Sequence, residues 1–170
     1  MRHIISVLVK NHFGVLSRVS GLFSGRGYNI ESLSVGVTNN PDQSIMTIVT
    51  RGDDRVIEQI IKQLRKLVDV LRVRDVTAME HIEREMLLIK VFAPVKARND
   101  IFNIVNTFRA KVVDLASESM VIEITGTDDK NKAFMEVIEP YGIIEVIRGG
   151  SLAIARGNQA TTEWEKNKSK

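Results

Sequence analysis

Asn11, His12, Phe13 and Gly14 interrupt an apolar run, and the residues that follow return to helical spacing. That junction joins a strand to a helix start, where unpaired backbone N–H groups and the positive end of the helix dipole attract a carboxylate. Gly14 lets a ligand approach the backbone with no Cβ in the way. Asn11 and Asn29 carry amides that accept from an ammonium and donate to a carboxylate. Val15, Leu16 and Ile30 supply apolar walls for a small aliphatic side chain. Together these six residues form a candidate clamp for a zwitterionic amino acid. Read singly, each has a plainer role, since glycine serves turns and asparagine serves caps.

Other chemistry finds no residues to carry it. The 170 residues contain no cysteine, so disulfides, thiolate metal sites and cysteine nucleophiles are excluded. His3, His12 and His81 lack metal partners at useful spacing; His3 reads as a strand-surface residue, His81 as a linker residue, and His12 as a junction-loop residue that is solvated or, as the alternative, stands beside the ligand. No G-x-x-x-x-G-K-[ST] phosphate loop occurs, and Gly25-Arg26-Gly27 lacks the third glycine of a dinucleotide turn. Gly21 and Gly25 match G-x-x-x-G in a segment too short and polar to span a membrane. Arg51-Gly52-Asp53 reads as a turn and a helix cap. No nucleophile–base set or carboxylate pair assembles, so the chain is expected not to be an enzyme.

The elements that hold the junction come as one pattern used twice. Ile4 to Val9 is a central strand. Val15, Leu16, Val19, Leu22 and Phe23 mark one helical face, which Gly25-Arg26-Gly27 ends. Leu33, Val35 and Val37 alternate with Ser32, Ser34 and Gly36, a half-buried strand. Asn39 to Asp42 turns the chain into a strand over 44–50. Asp53-Asp54 starts a helix through Val56, Ile57, Ile60, Ile61 and Leu64, and 70–76 closes a β-α-β-β-α-β unit. The second half repeats it, with strands at 86–92, 112–116, 120–125 and 143–147. Its helices lie at Ile101 to Phe108 and from Asp128. The predicted fold is α+β, two tandem ferredoxin-like βαββαβ domains, each with two helices on one sheet face and the other face bare.

The expected boundaries are 1–78 for the first domain, 79–84 for a charged hinge, 85–156 for the second domain and 157–170 for a polar, basic tail. Domains this small bury only about 60% of their unfolded surface, so pairing with another surface is expected. The Ser32–Thr38 strand has the character of an edge that pairs with its own copy, making a two-fold dimer with an eight-stranded sheet, the alternative being a monomer whose edge the second domain shields. Of the net charge of +3, four basic and two acidic residues from Arg156 onward account for +2. The excess basicity therefore sits in a tail rather than on a face, which argues against nucleic-acid binding. The apolar runs fall far below the ~20 residues of a membrane helix, and no signal-peptide pattern opens the chain. A cytoplasmic protein is expected.

The block His3-Ile4-Ile5-Ser6-Val7-Leu8-Val9, Asn11, Gly14-Val15-Leu16, Arg18-Val19, Gly21-Leu22-Phe23, Arg26-Gly27-Tyr28-Asn29-Ile30, Ser32-Leu33 and Val35 resembles the opening of acetolactate synthase (acetohydroxyacid synthase) small regulatory subunits. Glu85 to Val91 and Gly142 to Val146 continue the resemblance to about Arg156. It implies that the first unit is an ACT domain, a ligand-sensing ferredoxin-like fold. It also implies a chain without catalysis or cofactor of its own. Such a chain binds and activates a large subunit carrying thiamine diphosphate, magnesium and FAD, and confers feedback inhibition by valine in branched-chain amino acid biosynthesis. The valine site so implied lies at the ACT dimer interface, with Asn11, Gly14, Val15 and Leu16 from one chain and Asn29 and Ile30 from the other. Arg148-Gly149-Gly150 departs from the Arg-Thr-Gly or Arg-Ser-Gly usual in the family after the last strand.

Rival readings lack residues. A ligand-responsive transcription factor needs a helix-turn-helix for which no segment is left over. An RNA-binding sheet needs stacking aromatics, yet the central strands offer Val7, Leu8, Thr47 and Ile48. An acylphosphatase-like enzyme needs a glycine-rich phosphate loop. Valine, leucine and isoleucine all remain open as effector, because a pocket wall separates side chains differing by a methylene weakly.

Overall fold

The computed structural model describes Met1 to Thr162, so the later part of the expected basic tail lies outside the described residues. Contacts divide the chain into two units, Met1–Ile82 together with the segment from Ser151, and Glu83–Gly150.

In the first unit β1 (Arg2–Lys10) is buried over nearly its whole length, as an apolar central strand must be. It leads into α1 (Val15–Gly25), β2 (Ile30–Val37), β3 (Gln43–Arg51), α2 (Asp54–Leu64) and β4 (Val70–Asp75). The sheet order is β2-β3-β1-β4, with every neighbour antiparallel. This is the predicted βαββαβ topology, and it leaves β2 and β4 at the edges. Ile5, Val7 and Val9 alternate onto the helix side and pack with Val15, Val19 and Phe23 of α1 and Ile57, Ile60 and Leu64 of α2. Asp53 caps α2 as expected, its Oδ1 accepting from Val56 N at 2.8 Å.

The opposite face is not bare. Ile4, Val49 and Val76 form a small cluster there, and Ala153 packs on it. Ala153 belongs to β9 (Leu152–Ala155), an element absent from the predicted pattern. Ser151 N donates to Ser32 Oγ at 2.9 Å and Arg156 N to Glu80 O at 2.8 Å. Apolar residues on both faces of β1 demand two covers, and the returning segment supplies part of the second. Ser151–Arg156, expected with the second domain, thus lies with the first unit.

The second unit runs through β5 (His81–Phe92), α3 (Arg98–Thr107), β6 (Lys111–Leu115), β7 (Ser119–Gly126), α4 (Asp128–Ile138) and β8 (Ile143–Arg148), with sheet order β6-β7-β5-β8. Leu87, Ile89 and Val91 pack under Ile101, Val105, Phe134 and Ile138, and Phe108 meets Phe134 edge to face at 5.3 Å. Most of the segment expected as a hinge is strand, because His81–Glu85 alternates half-buried and exposed positions and polar side chains do not prevent ladder formation.

Candidate functional site

β1 ends where three bonds fix the chain for the turn into α1. Lys10 N donates to Asp69 O at 2.9 Å, Asn11 N to Asp42 O at 2.7 Å, and Asn11 Nδ2 to Pro41 O at 2.8 Å. Gly14 then takes the left-handed conformation, φ +86°, at the N-cap of α1. A side chain there is strained, yet a Cβ would meet no atom within 4 Å, so the space in front of this backbone is open.

The first turn of α1 has neither a side-chain cap nor an acidic residue. α2 and α4 have both, with Asp53 and Thr127 as caps and Asp54, Asp128 and Asp129 following. The initial N–H groups of α1 are therefore the ones that lack a built-in anionic or capping partner within their own helix. A carboxylate placed there gains about 0.3–1 kcal/mol from the dipole, up to ~2 where partly buried.

The predicted side chains take different parts. Leu16 is 46% exposed beside this turn. Val15 is buried in the core, so it offers a ligand its backbone N–H and not an apolar wall. Phe13, which the sequence reading did not single out, is fully exposed at the tip.

Asn29 and Ile30 are not brought to this turn. Ile30 pairs with Thr50, and Thr50 with His3, whereas Val37 pairs with Ser44, and Ser44 with Val9. One chain thus holds Asn11, Gly14, Val15 and Leu16 at one end of its sheet and Asn29 and Ile30 at the other. Asn29 is exposed, and its carbonyl accepts from Thr50 Oγ1 at 2.6 Å. Ile30 is half-buried against the core.

Asp69, in the connection between α2 and β4, lies on no hydrophobic period and has no motif. Its Oδ1 receives His12 Nε2 at 2.9 Å, and its Oδ2 receives Arg18 Nη1. Burial is the largest influence on this carboxyl and raises its pKa, but the bonds and charges of His12 and Arg18 together outweigh it. The net result lies below the usual aspartate value. His12, expected in the junction loop as a solvated residue with a place beside the ligand as the alternative, is tied to the fold through Asp69. His3, expected on a strand surface, is buried instead, with Nδ1 3.3 Å from Asp75 Oδ2. Its parity puts it on the helix side with Ile5, which explains the burial.

Among the described residues, no cluster of His, Cys, Asp or Glu is arranged to hold a metal ion, and no helix is long and apolar enough to cross a membrane.

Comparison with known proteins divides the chain near residues 72–84, with the second match running through Ser151–Arg156. A family described as the AHAS small subunit-like ACT domain matches residues 5–72, and one described as the small subunit of acetolactate synthase matches residues 84–157. A probable acetolactate synthase small subunit from Archaeoglobus fulgidus is 50% identical over 159 residues, covering 94% of this chain and 99% of the relative. The acetolactate synthase small subunit of Mycolicibacterium smegmatis is 49% identical over 155 residues, 91% of each chain. The crystal structure of the acetolactate synthase small subunit from Thermotoga maritima superposes with a TM-score of 0.85 at 40% identity, covering 94% of this chain and 99% of that one. With an ACT domain in its first unit and relatives matched along almost their full length, this chain belongs to the acetolactate synthase small-subunit family, the regulatory subunits of that enzyme.

Proposed function

We propose that this chain binds and activates the catalytic subunit of an acetolactate synthase and confers feedback inhibition by valine, which it holds between the ACT domains of a homodimer. In this reading the thiamine diphosphate, magnesium and FAD chemistry stays on the catalytic partner, and the present chain contributes binding and coupling only.

The observation that carries the reading is the uncapped first turn of α1 behind the left-handed Gly14, at the opposite end of the sheet from Asn29. An antiparallel two-fold pairing of β2 with its copy runs the partner's β2 the other way. The partner's Ile30 then comes level with Val37, at the end where Asn11 and Gly14 lie. Backbone N–H groups of Val15 and Leu16 receive the effector carboxylate, the asparagine amides of both chains address its polar ends, and Leu16 and Ile30 flank its side chain.

Inhibition follows if valine binds the low-activity arrangement of the complex more tightly than the high-activity one. A ligand bridging two chains is suited to this, since it favours one dimer geometry, and a coupling of ~1–3 kcal/mol is typical.

The test is calorimetric titration of the purified chain with valine, leucine and isoleucine, with dimer size followed in parallel, and reconstitution with the catalytic subunit. Binding of one of them with a stoichiometry of two per dimer, together with inhibition of the reconstituted enzyme, supports the proposal. No binding heat with any of the three sinks it.

A further inference from the structure

β2 does not begin in regular register. Ile30 pairs with Thr50 and Ser32 with Val49, so two steps along β2 match one along β3, and Glu31 is the extra residue. A bulge of this kind re-aims the side chains beside it, and here those are Asn29 and Ile30. Three bonds pin it. Thr50 Oγ1 donates to Asn29 O at 2.6 Å, and Arg51 Nε donates to Glu31 Oε1. Both of these donors belong to β3, the neighbouring strand. The third donor is Ser151 N, which reaches Ser32 Oγ at 2.9 Å from 119 positions further along the chain.

Ser151 is 3% exposed and opens the segment that returns to the first unit, two glycines after β8. A backbone N–H buried to this degree needs an acceptor, and Ser32 Oγ is the one it has. Ala153 packs on the cluster of Ile4, Val49 and Val76, and Val49 is the residue opposite Ser32 in the ladder. Arg156 N then fixes the far end of the segment by donating to Glu80 O at 2.8 Å. The returning segment thus meets the bulged row twice, through the Ser32 hydroxyl and through the Val49 side chain. Ser32 does not stand among the six residues of the clamp.

We propose that Ser32 is a positioning residue of the effector site and that Ser151–Arg156 is a clasp closed on it, so that seating the segment fixes the aim of Asn29 and Ile30. This rests on the proposed effector reading, in which those two residues complete the partner's site. The two states are the segment seated on β2 and the segment released from it. An effector that favours the seated geometry of the bulge also holds the segment down, because coupling between two binding events is reciprocal. Effector occupancy at the edge strand is thereby felt by a stretch of chain that follows directly on β8.

The experiment is hydrogen–deuterium exchange over Ser151–Arg156 of the full-length chain, with and without saturating valine, for the native protein, Ser32→Ala and Ser32→Thr. Calorimetric titration with valine and thermal unfolding are run on the same samples. Ser32→Ala is expected to bind valine roughly three- to tenfold more weakly, the equivalent of one lost hydrogen bond. In the native chain valine is expected to slow exchange of the segment by a similar factor, and in Ser32→Ala to leave it unchanged. Ser32→Thr keeps the hydroxyl and is expected to restore both effects. A merely structural bond would speed exchange in Ser32→Ala equally with and without valine, and that result overturns the inference. Ser32→Thr behaving as Ser32→Ala also overturns it, since the hydroxyl would then not be the cause. Should Ser32→Ala fail to fold, the native comparison decides alone. A native chain that gives no binding heat with valine overturns the effector reading as well, whereas valine binding without slowed exchange overturns only the clasp.

Discussion

Gly14 and Asn29 lie at opposite ends of the same four-stranded sheet. Asn29 precedes the row Ile30–Thr50–His3, and Gly14 follows the row Val37–Ser44–Val9. The rows lie six positions apart along β1, about 20 Å of extended strand. No side-chain motion spans that gap, so a site using both residues takes one from each of two chains.

Mixed dimers read this relationship directly. Asn11→Ala and Asn29→Ala are each expected to abolish valine binding as homodimers. In a mixed dimer, one site carries both defects and the other neither. Calorimetry on the mixture should recover binding at one valine per mixed dimer. Recovery of no binding would place both residues in a site within one chain.

Gly14→Asp puts a carboxylate where the proposed site would hold the effector's own and adds left-handed strain of about 1–2 kcal/mol. Because the space before Gly14 is open, the fold should persist. Reconstituted enzyme is expected to retain activation and lose inhibition by valine. Inhibition at an unaltered valine concentration would remove Gly14 from the site.

Val35 is 44% exposed on the edge strand β2. Val35→Lys brings two like charges together near the axis of the proposed strand pairing. Dissociation to monomer on a sizing column, with loss of valine binding at the same protein concentration, is the expected result. A valine-binding monomer would separate the effector site from the dimer.

Acid weakens the anchor of the turn. Asp69 titrates below the ordinary aspartate value of 3.8 in the folded protein. A carboxyl lowered in this way stabilises the fold above that value, and the contribution is lost as pH falls through the folded pKa. Urea midpoints at pH 5 and pH 3 should therefore fall more for the native chain than for Asp69→Asn. Parallel decreases would show that the Asp69 carboxylate is not a folding contact.

The sequence by itself determined the two βαββαβ units, because each element announces itself locally. Val15, Val19 and Phe23 recur at helical spacing, Leu33, Val35 and Val37 at strand spacing, and Asp53 caps the helix it precedes. It also marked the Asn11–Gly14 junction, where a glycine and a polar break stand between apolar runs. Only the tertiary structure decided which distant residues those elements bring together. Asp69 reaches His12 and Arg18 across more than fifty residues of chain, and Ala153 covers Ile4 from the far end of the protein. The strand ladder holds Asn29 away from Gly14. Periodicity records which face of an element is apolar, whereas the partner meeting a polar atom is set by sheet order and register, which neighbouring residues do not encode.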